Sequence, residues 1–301
     1  MAIIIPPIKS QGIKTKLIPW INNIIYRSGL DLQNTNWIEP FFGTGVVGLN
    51  TPVSGTRIVG DSNPHIIKFY NGIKDGIITP HNMREYLSHE GFLLEKADNQ
   101  GYDHYRKIKD RFNKEFDSFD FIFLSRAGFN GMMRFNRKGE WNIPFCKKPN
   151  RFSSAYITKI CNQIAATQRA IKQYDWNFYN RDFVETINEA KAGDLIYCDP
   201  PYLGRYVDYY NGWTESDEEL LYNVLRNTPA HFILSTWHHN EYRENNMISK
   251  YWDRFNILTQ KHFYHNGGHL ENRHAIVEAL VYNFDLQNEA ASINSQLRLA
   301  L

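Results

Sequence analysis

Long apolar runs are missing from this sequence. No stretch approaches the roughly 18 consecutive apolar residues of a membrane-spanning helix, so a helical membrane anchor is not expected. Cysteine is scarce too. Cys146, Cys161 and Cys198 are odd in number and far apart, which argues against a disulfide framework or a cysteine zinc site and fits a reducing compartment. The opening residues, with Pro6 and Pro7 close behind a short isoleucine run, do not make a signal peptide, so a cytoplasmic location is expected. His238 with His239, and His262, His265 and His269, have neither zinc-ligand spacing nor an accompanying carboxylate cluster; no metal is expected. The stretch from His262 to His274, with Gly267 and Gly268, reads instead as a flexible hairpin. There is no internal repeat, and no excess of one charge: the formal net charge is +2, with 42% hydrophobic and 22% charged residues, ordinary for a globular protein.

What is present is unevenly spread. Residues 126–159 carry Arg126, Arg134, Arg137, Lys138, Lys147, Lys148, Arg151 and Lys159 against the single acid Glu140. Lys9, Lys14 and Lys16 add a second basic segment near the start. Two basic segments on a near-neutral chain point to a polyanion site.

Buried-strand patterns recur at Trp37-Ile38, Arg57–Asp61, Asp194–Cys198, His231–Thr236 and Ala275–Tyr282, the last read as an edge strand. The first is followed by a glycine turn and an expected helix; a second helix is expected from Asn63-Pro64, where proline suits the first turn. Strands alternating with helices predict an α/β fold with a mostly parallel, Rossmann-like sheet. Residues 75–155 interrupt the rhythm. They read as helical from Met83 to Phe116 and from Phe119 to Leu124, then as a β-hairpin turning at Lys138-Gly139. The expected organisation is therefore one domain from 1–74 and 156–301, with an inserted, mainly helical second domain at 75–155. The helix predicted from about Ser154 to Gln173 returns the chain to the sheet, and Gln287–Leu301 reads as a polar tail. Trp20, Trp37, Trp176 and Trp252 are expected in the core, with Trp141 ambiguous.

Gly43-Thr44-Gly45-Val46-Val47-Gly48 follows a strand, and Asp61 lies about 20 residues on, as in nucleotide-binding units. Glycine lets a backbone approach a ligand, and an acid after the second strand accepts hydrogen bonds from ribose hydroxyls. An NAD-dependent oxidoreductase is thus one reading. Glu39, just before the turn, would repel a pyrophosphate but suit a cofactor with an ammonium group, which favours S-adenosylmethionine. Asp199-Pro200-Pro201-Tyr202 ends a buried strand at the carboxyl edge of the sheet. A bare Asp-Pro would be read as a turn. With two prolines and an aromatic downstream of a cofactor loop, it suits activation of an exocyclic amine. Asp199 and the Pro200 carbonyl can accept the two N–H bonds and localise the nitrogen lone pair. The prolines hold those acceptors in place, and Tyr202 can stack on the base. No Pro-Cys pair exists, so the nucleophilic cysteine of a cytosine-C5 methylase is lacking.

In this order of motifs the chain resembles the Dam-type, D12 class DNA adenine-N6 methyltransferases. The resemblance runs through Lys9–Lys14, Glu39–Gly45, Asp61–Asn63, Phe129–Asn136, Asn142–Phe145, Arg181–Phe183 and Asp199–Tyr202. Within the class, residues 7–17, 144–152 and 235–240 resemble the EcoRV-type modification methylases. Ser10 stands where Dam enzymes carry tryptophan, and Ser235-Thr236-Trp237 replaces their Ser-Asn-His. The resemblance implies S-adenosylmethionine as cofactor, held by Lys14, Glu39, Phe41, Gly43, Gly45, Asp61, Asp182 and Phe183. It implies duplex DNA as substrate. Lys9 and Arg134 would contact bases, Phe129 and Asn130 would fill the gap left by a flipped adenine, and Met132, Pro144 and Lys147 would belong to the same recognition element. Lys138, Lys148 and Arg151 are candidate phosphate contacts. The implied target is a short palindrome beginning GAT, GATATC first, and the implied setting a restriction–modification system with a cognate endonuclease. A catalytically inactive DNA-binding protein is the other class of reading.

Overall fold

The computed structural model describes residues 2–10, 12–136, 138–203, 212–263 and 275–288. Short apolar runs form strands β1 (Trp37–Glu39), β2 (Arg57–Asp61), β3 (Trp176–Asn180), β4 (Leu195–Cys198), β5 (His231–Asn240), β6 (Asn256–Phe263) and β7 (Ala275–Tyr282). They join in one seven-stranded sheet ordered β3-β2-β1-β4-β5-β7-β6. The first five in that order pair in parallel, whereas β7 runs antiparallel to both β5 and β6. Parallel strands are covered on both faces and so read as continuous apolar runs; every residue of β4 is buried. The sheet is Rossmann-like, as expected. Strand order reverses between β1 and β4, and the crevice beyond their carboxyl ends is where open α/β sheets take ligands. Glu39 ends one of those strands and Asp199 follows the other.

Helices α1 (Ile18–Tyr26), α2 (Pro64–Lys74), α3 (Pro80–Lys96), α4 (Tyr102–Glu115), α5 (Ser118–Ala127), α6 (Ser154–Gln173), α7 (Phe183–Ile187) and α8 (Glu215–Asn227) surround the sheet. α2 starts as its sequence predicts: Asn63 caps it by accepting from the His65 N–H, and Pro64 opens the first turn. α6 matches its predicted span. No helix among the described residues is long and apolar enough to cross a membrane.

Three expectations need correction. The glycine turn after β1 leads only into one 3-10 turn, Gly48–Asn50, because Pro52 forces Thr51 into an extended conformation and ends the helix at once. The single helix foreseen from Met83 to Phe116 is two. Gln100 and Gly101 take left-handed φ of 56° and 88°, and a side chain at Gly101 would come within 2.9 Å of the Leu94 carbonyl. Finally, β7 is internal. Ile276–Tyr282 are buried on both faces, whereas β6, unforeseen in the sequence, is the edge and carries the polar residues an edge strand tolerates.

The inserted segment holds α3, α4, α5 and the hairpin. Phe135 bridges Trp141 antiparallel, and the Asn136 and Asn142 N–H groups donate to Glu140 and Arg134 carbonyls at 2.9 and 3.0 Å. Gly139 at φ 80° makes the turn. Trp141 is core: it is 2% exposed, and its indole N–H donates to the Tyr105 hydroxyl on α4 at 3.0 Å. His65 on α2 stacks on Phe135 at 5.0 Å, so hairpin and sheet helices share one packed interior. Trp37, Trp176 and Trp252 are buried as expected, and Trp20 packs half-buried against the core. His265, His269 and most of the His262–His274 stretch lie outside the described residues, as do Arg137 and residues 289–301.

Candidate active site

β4 delivers the chain to the crevice, and two consecutive prolines then forbid further pairing. Asp199 emerges there with its Oδ1 2.9 Å from the Lys14 ammonium; the lysine side chain is 5% exposed and the aspartate 23%. The same ammonium lies 4.8 Å from the centre of the Tyr202 ring, a cation–π contact. Tyr202 in turn donates its hydroxyl to Glu278 Oε2 at 2.8 Å. Burial raises the Asp199 carboxyl above its ordinary range, and the Lys14 charge and hydrogen bond oppose that rise. The sequence foresaw Lys14 and Asp199 separately; the fold puts them in contact. Glu278 it did not foresee, although a lone acid in the apolar run Ala275–Tyr282 was a legible signal.

On the other side of the crevice Glu39 is fully buried and accepts the Trp37 indole N–H at 2.9 Å. Burial pushes its carboxyl well above the usual range, against the Trp37 hydrogen bond, and the nearby Asp199 charge pushes the same way. Gly48 makes room for it: a Cβ there would lie 2.4 Å from Glu39 Oε2. The third glycine of the turn thus serves a carboxylate, not a phosphate.

Gly43 adopts φ 52° and donates its N–H to Asp61 Oδ2 at 2.7 Å, while the Asn63 N–H donates to Oδ1 at 2.8 Å. Burial lifts the Asp61 carboxyl to about 6 despite these two bonds. Nothing lies within 4 Å of where a Gly43 side chain would stand, so the backbone there is open to a ligand. Gly45, at φ 72°, has no such space, since a Cβ would strike the Phe42 ring at 2.5 Å. Phe41 and Phe183 stack at 5.3 Å, with Trp213 edge-on to Phe41 at 5.6 Å. Asp182 is exposed and caps α7 through the Val184 N–H at 2.8 Å. Together these groups offer a buried acid, two hydrogen-bonding carboxylates, an open backbone and an aromatic wall. That donor set suits an adenosine bearing a cationic amino-acid end. Trp213 was missed because only the fold carries it to Phe41.

The basic residues form a second group. The Lys9 backbone N–H donates to Ser125 Oγ at 3.1 Å, and a Cβ on Gly131, itself at φ 63°, would sit 2.4 Å from the Lys9 side chain. Phe129 donates its N–H to the Pro144 carbonyl at 2.9 Å, and Met132 to the Phe129 carbonyl at 3.1 Å. Lys9, Phe129, Asn130, Met132 and Pro144 therefore share one surface, where Phe129 is 48% exposed and Asn130 takes a left-handed φ of 52°. Arg134 on the hairpin donates to the Asn142 carbonyl at 3.2 Å. Lys138, Lys147 and Lys148 are exposed. Arg151 differs. It is half-buried and donates to the Arg126 carbonyl at 2.7 Å and the Tyr156 hydroxyl at 2.9 Å, so it fastens α5 to α6.

The family profile for D12 class N6 adenine-specific DNA methyltransferases matches residues 10–266. The DNA adenine methylase of Vibrio cholerae serotype O1 is 32% identical over 203 residues, covering 64% of this chain and 67% of that protein. A retron Ec67 DNA adenine methylase of Escherichia coli is 30% identical over 207 residues, 65% and 66% of the two chains. The type II methyltransferase M.FokI of Planomicrobium okeanokoites is 26% identical over 266 residues, 82% of this chain but 39% of that one.

Proposed function

This chain belongs to the D12 class of N6 adenine-specific DNA methyltransferases, and on that footing we propose that it moves a methyl group from S-adenosylmethionine to an adenine flipped out of duplex DNA. The contact between Asp199 and Lys14 at 2.9 Å carries the reading. An exocyclic amine is a poor nucleophile because its lone pair is delocalised into the ring. Asp199 accepts one N–H of that amine and the Pro200 carbonyl the other, which localises the lone pair. Lys14 opposes the effect of desolvation on Asp199 and favours its ionised, accepting form. Pro200 and Pro201 fix both acceptors before the base arrives. Tyr202 stacks on the base and helps offset the few kcal/mol of unstacking.

S-adenosylmethionine, when bound, supplies an activated methyl on a sulfonium. Glu39 would face its ammonium end, the open backbone at Gly43 would lie against it in the turn that Gly45 completes, Asp61 would accept from its ribose, and Phe41, Asp182 and Phe183 would hold its adenine. Residues 1–74 and 156–301 form the catalytic domain in this reading, and 75–155 the target-recognition domain. Arg134 reads a guanine in the major groove, where a bidentate arginine contributes about 1–3 kcal/mol of discrimination. Lys9, Met132, Pro144 and Lys147 lie along the same groove, Phe129 and Asn130 fill the emptied stack, and Lys138 and Lys148 approach phosphates. The target is a palindrome beginning GAT, GATATC first, in the cytoplasm and as the modification partner of a restriction endonuclease.

Purified protein is expected to transfer labelled methyl from S-adenosylmethionine to a GATATC duplex. Asp199→Ala is expected to lower that rate by about 100- to 1,000-fold, with cofactor binding retained by calorimetry. Full activity in the variant would sink the mechanism, and sequencing of methylated adenines checks the site.

A further inference from the structure

Glu278 is a buried acid beside the site that nothing in this reaction scheme uses. It sits on β7, paired in register with Trp237 of β5 and Gln260 of β6, in the interior of the sheet. Its side chain is 0% exposed. Its neighbours along the strand, Val277 and Ala279, are apolar and buried. Burying a carboxylate here is costly unless it is well hydrogen-bonded, yet its two oxygens are served unequally. The Tyr202 hydroxyl gives Oε2 its bond at 2.8 Å, while Oε1 is buried with no partner among the described residues. A carboxylate serving only the fold would collect backbone or side-chain donors from its own strands. This one reaches instead to the last residue of Asp199–Tyr202, 76 positions away in sequence.

We infer that Glu278 is a positioning residue for methyl transfer, fixing the place of the Tyr202 ring against which the target adenine stacks. The inference rests on the proposed reaction at Asp199. Geometry explains why such a fixture is needed. Tyr202 follows two prolines, and residues 199–203 belong to no strand or helix, so their backbone gives the ring no regular support. The ring is held at its hydroxyl end by Glu278 and across its face by the Lys14 ammonium, 4.8 Å from the centroid. Lys14 is also bound to Asp199 at 2.9 Å. Glu278, Tyr202, Lys14 and Asp199 thus form one chain of contacts, and a swing of the ring displaces the ammonium that pairs with Asp199. Loss of the Glu278 acceptor therefore acts on the chemical step and leaves the cofactor side, built on Glu39, Gly43 and Asp61, intact.

The test compares Glu278→Gln, which keeps an oxygen acceptor for the tyrosine hydroxyl, with Glu278→Leu, which removes it. Each is made alone and in a Tyr202→Phe background, and single-turnover methyl transfer to a GATATC duplex is measured beside S-adenosylmethionine binding. Glu278→Leu is expected to slow transfer by about 10- to 100-fold, the scale of a small misplacement of a reacting group, with cofactor affinity unchanged. Glu278→Gln keeps most of the rate. In the Tyr202→Phe background Gln and Leu become equal, because the hydrogen bond is already gone and both remove alike the Glu278 charge that also reaches Asp199. Equal losses for Gln and Leu in the chain that keeps Tyr202, or an undiminished gap between them in the Tyr202→Phe background, would overturn the inference. If Glu278→Leu fails to fold, Tyr202→Phe alone decides: it removes the same hydrogen bond while keeping the ring, so transfer at the native rate refutes the inference. Absence of transfer by the unsubstituted protein would instead refute the reaction itself.

Discussion

Asp61 carries two demands of opposite sign. Burial raises its carboxyl to about 6, so between the ordinary value of 3.8 and about 6 the folded chain binds more protons than the unfolded one. Folding stability from this group therefore falls as pH rises through that window, and the cost is complete above about 6. The ribose hydroxyls that we assign to it donate hydrogen bonds and favour the ionised form. Affinity for S-adenosylmethionine is accordingly expected to strengthen severalfold as pH rises from about 5 to about 7. Buried Glu39 and partly exposed Asp199 also face the crevice with raised values, so the comparison with Asp61→Asn isolates the effect. Calorimetric titration across this range should give a sloping curve for the native protein and a flatter, weaker one for the variant. Identical slopes would remove Asp61 from the cofactor site. At this scale much of the candidate site was legible: Glu39, Asp61 and Asp199 are acids at the ends of apolar strands, where neither fold nor solubility calls for them. Their partners were not. Trp37 meets Glu39 through alternation along one strand, and Glu278 meets Tyr202 only across sheet register.

Among the elements, the hairpin at Arg134–Asn142 and the loop after Phe145 divide recognition between them in the function we propose. Arg134 springs from a hairpin pinned by Trp141 to the Tyr105 hydroxyl at 3.0 Å, so its guanidinium starts from a rigid base. Lys148 stands exposed in a turn beyond Lys147, whose φ of 56° is left-handed. Arg134→Ala is expected to relax sequence preference at one base position, costing about 1–3 kcal/mol there. Lys148→Ala should weaken binding evenly across sequences and lessen the salt slope by about one. Fluorescence titration of matched and mismatched duplexes at several salt concentrations separates the two; equal behaviour on every duplex would contradict the division. Arg151 shows the limit of reading charge from sequence. It belonged to the same basic run, but its guanidinium binds the Arg126 carbonyl at 2.7 Å and the Tyr156 hydroxyl at 2.9 Å. The glycine turn shows a second limit. Its G-x-G-x-x-G pattern promised a helix, yet Pro52 ends it after one turn, and Gly48 is required by Glu39.

In the molecule as a whole, one large hydrophobic cluster joins the sheet to the insert, while a second packs α7 and α8 against the sheet around Ile196 and Phe232. Ile21 of α1, Phe69 of α2, Phe112 and Phe121 of the insert, Trp141 of the hairpin, Ile160 of α6 and Tyr197 of β4 all belong to the first. The sequence set 75–155 apart through its break in strand–helix rhythm. It could not show that the apolar face of this segment closes onto α2, because that contact joins residues far apart in the chain. A segment sharing its core with the sheet is held in place relative to Asp199, which suits the proposed delivery of one base to one carboxylate. Sharing also has a thermodynamic signature. Phe69 is 0% exposed and meets Phe121 at 6.4 Å, so it belongs to both sides of the junction. Phe69→Ala is expected to cost about 3–5 kcal/mol and to lower a single unfolding transition, seen alike by calorimetry and by near-ultraviolet circular dichroism. Separation into two transitions, with the insert melting first while the sheet persists, would mean that the two parts hold together independently and that the shared cluster does not couple them.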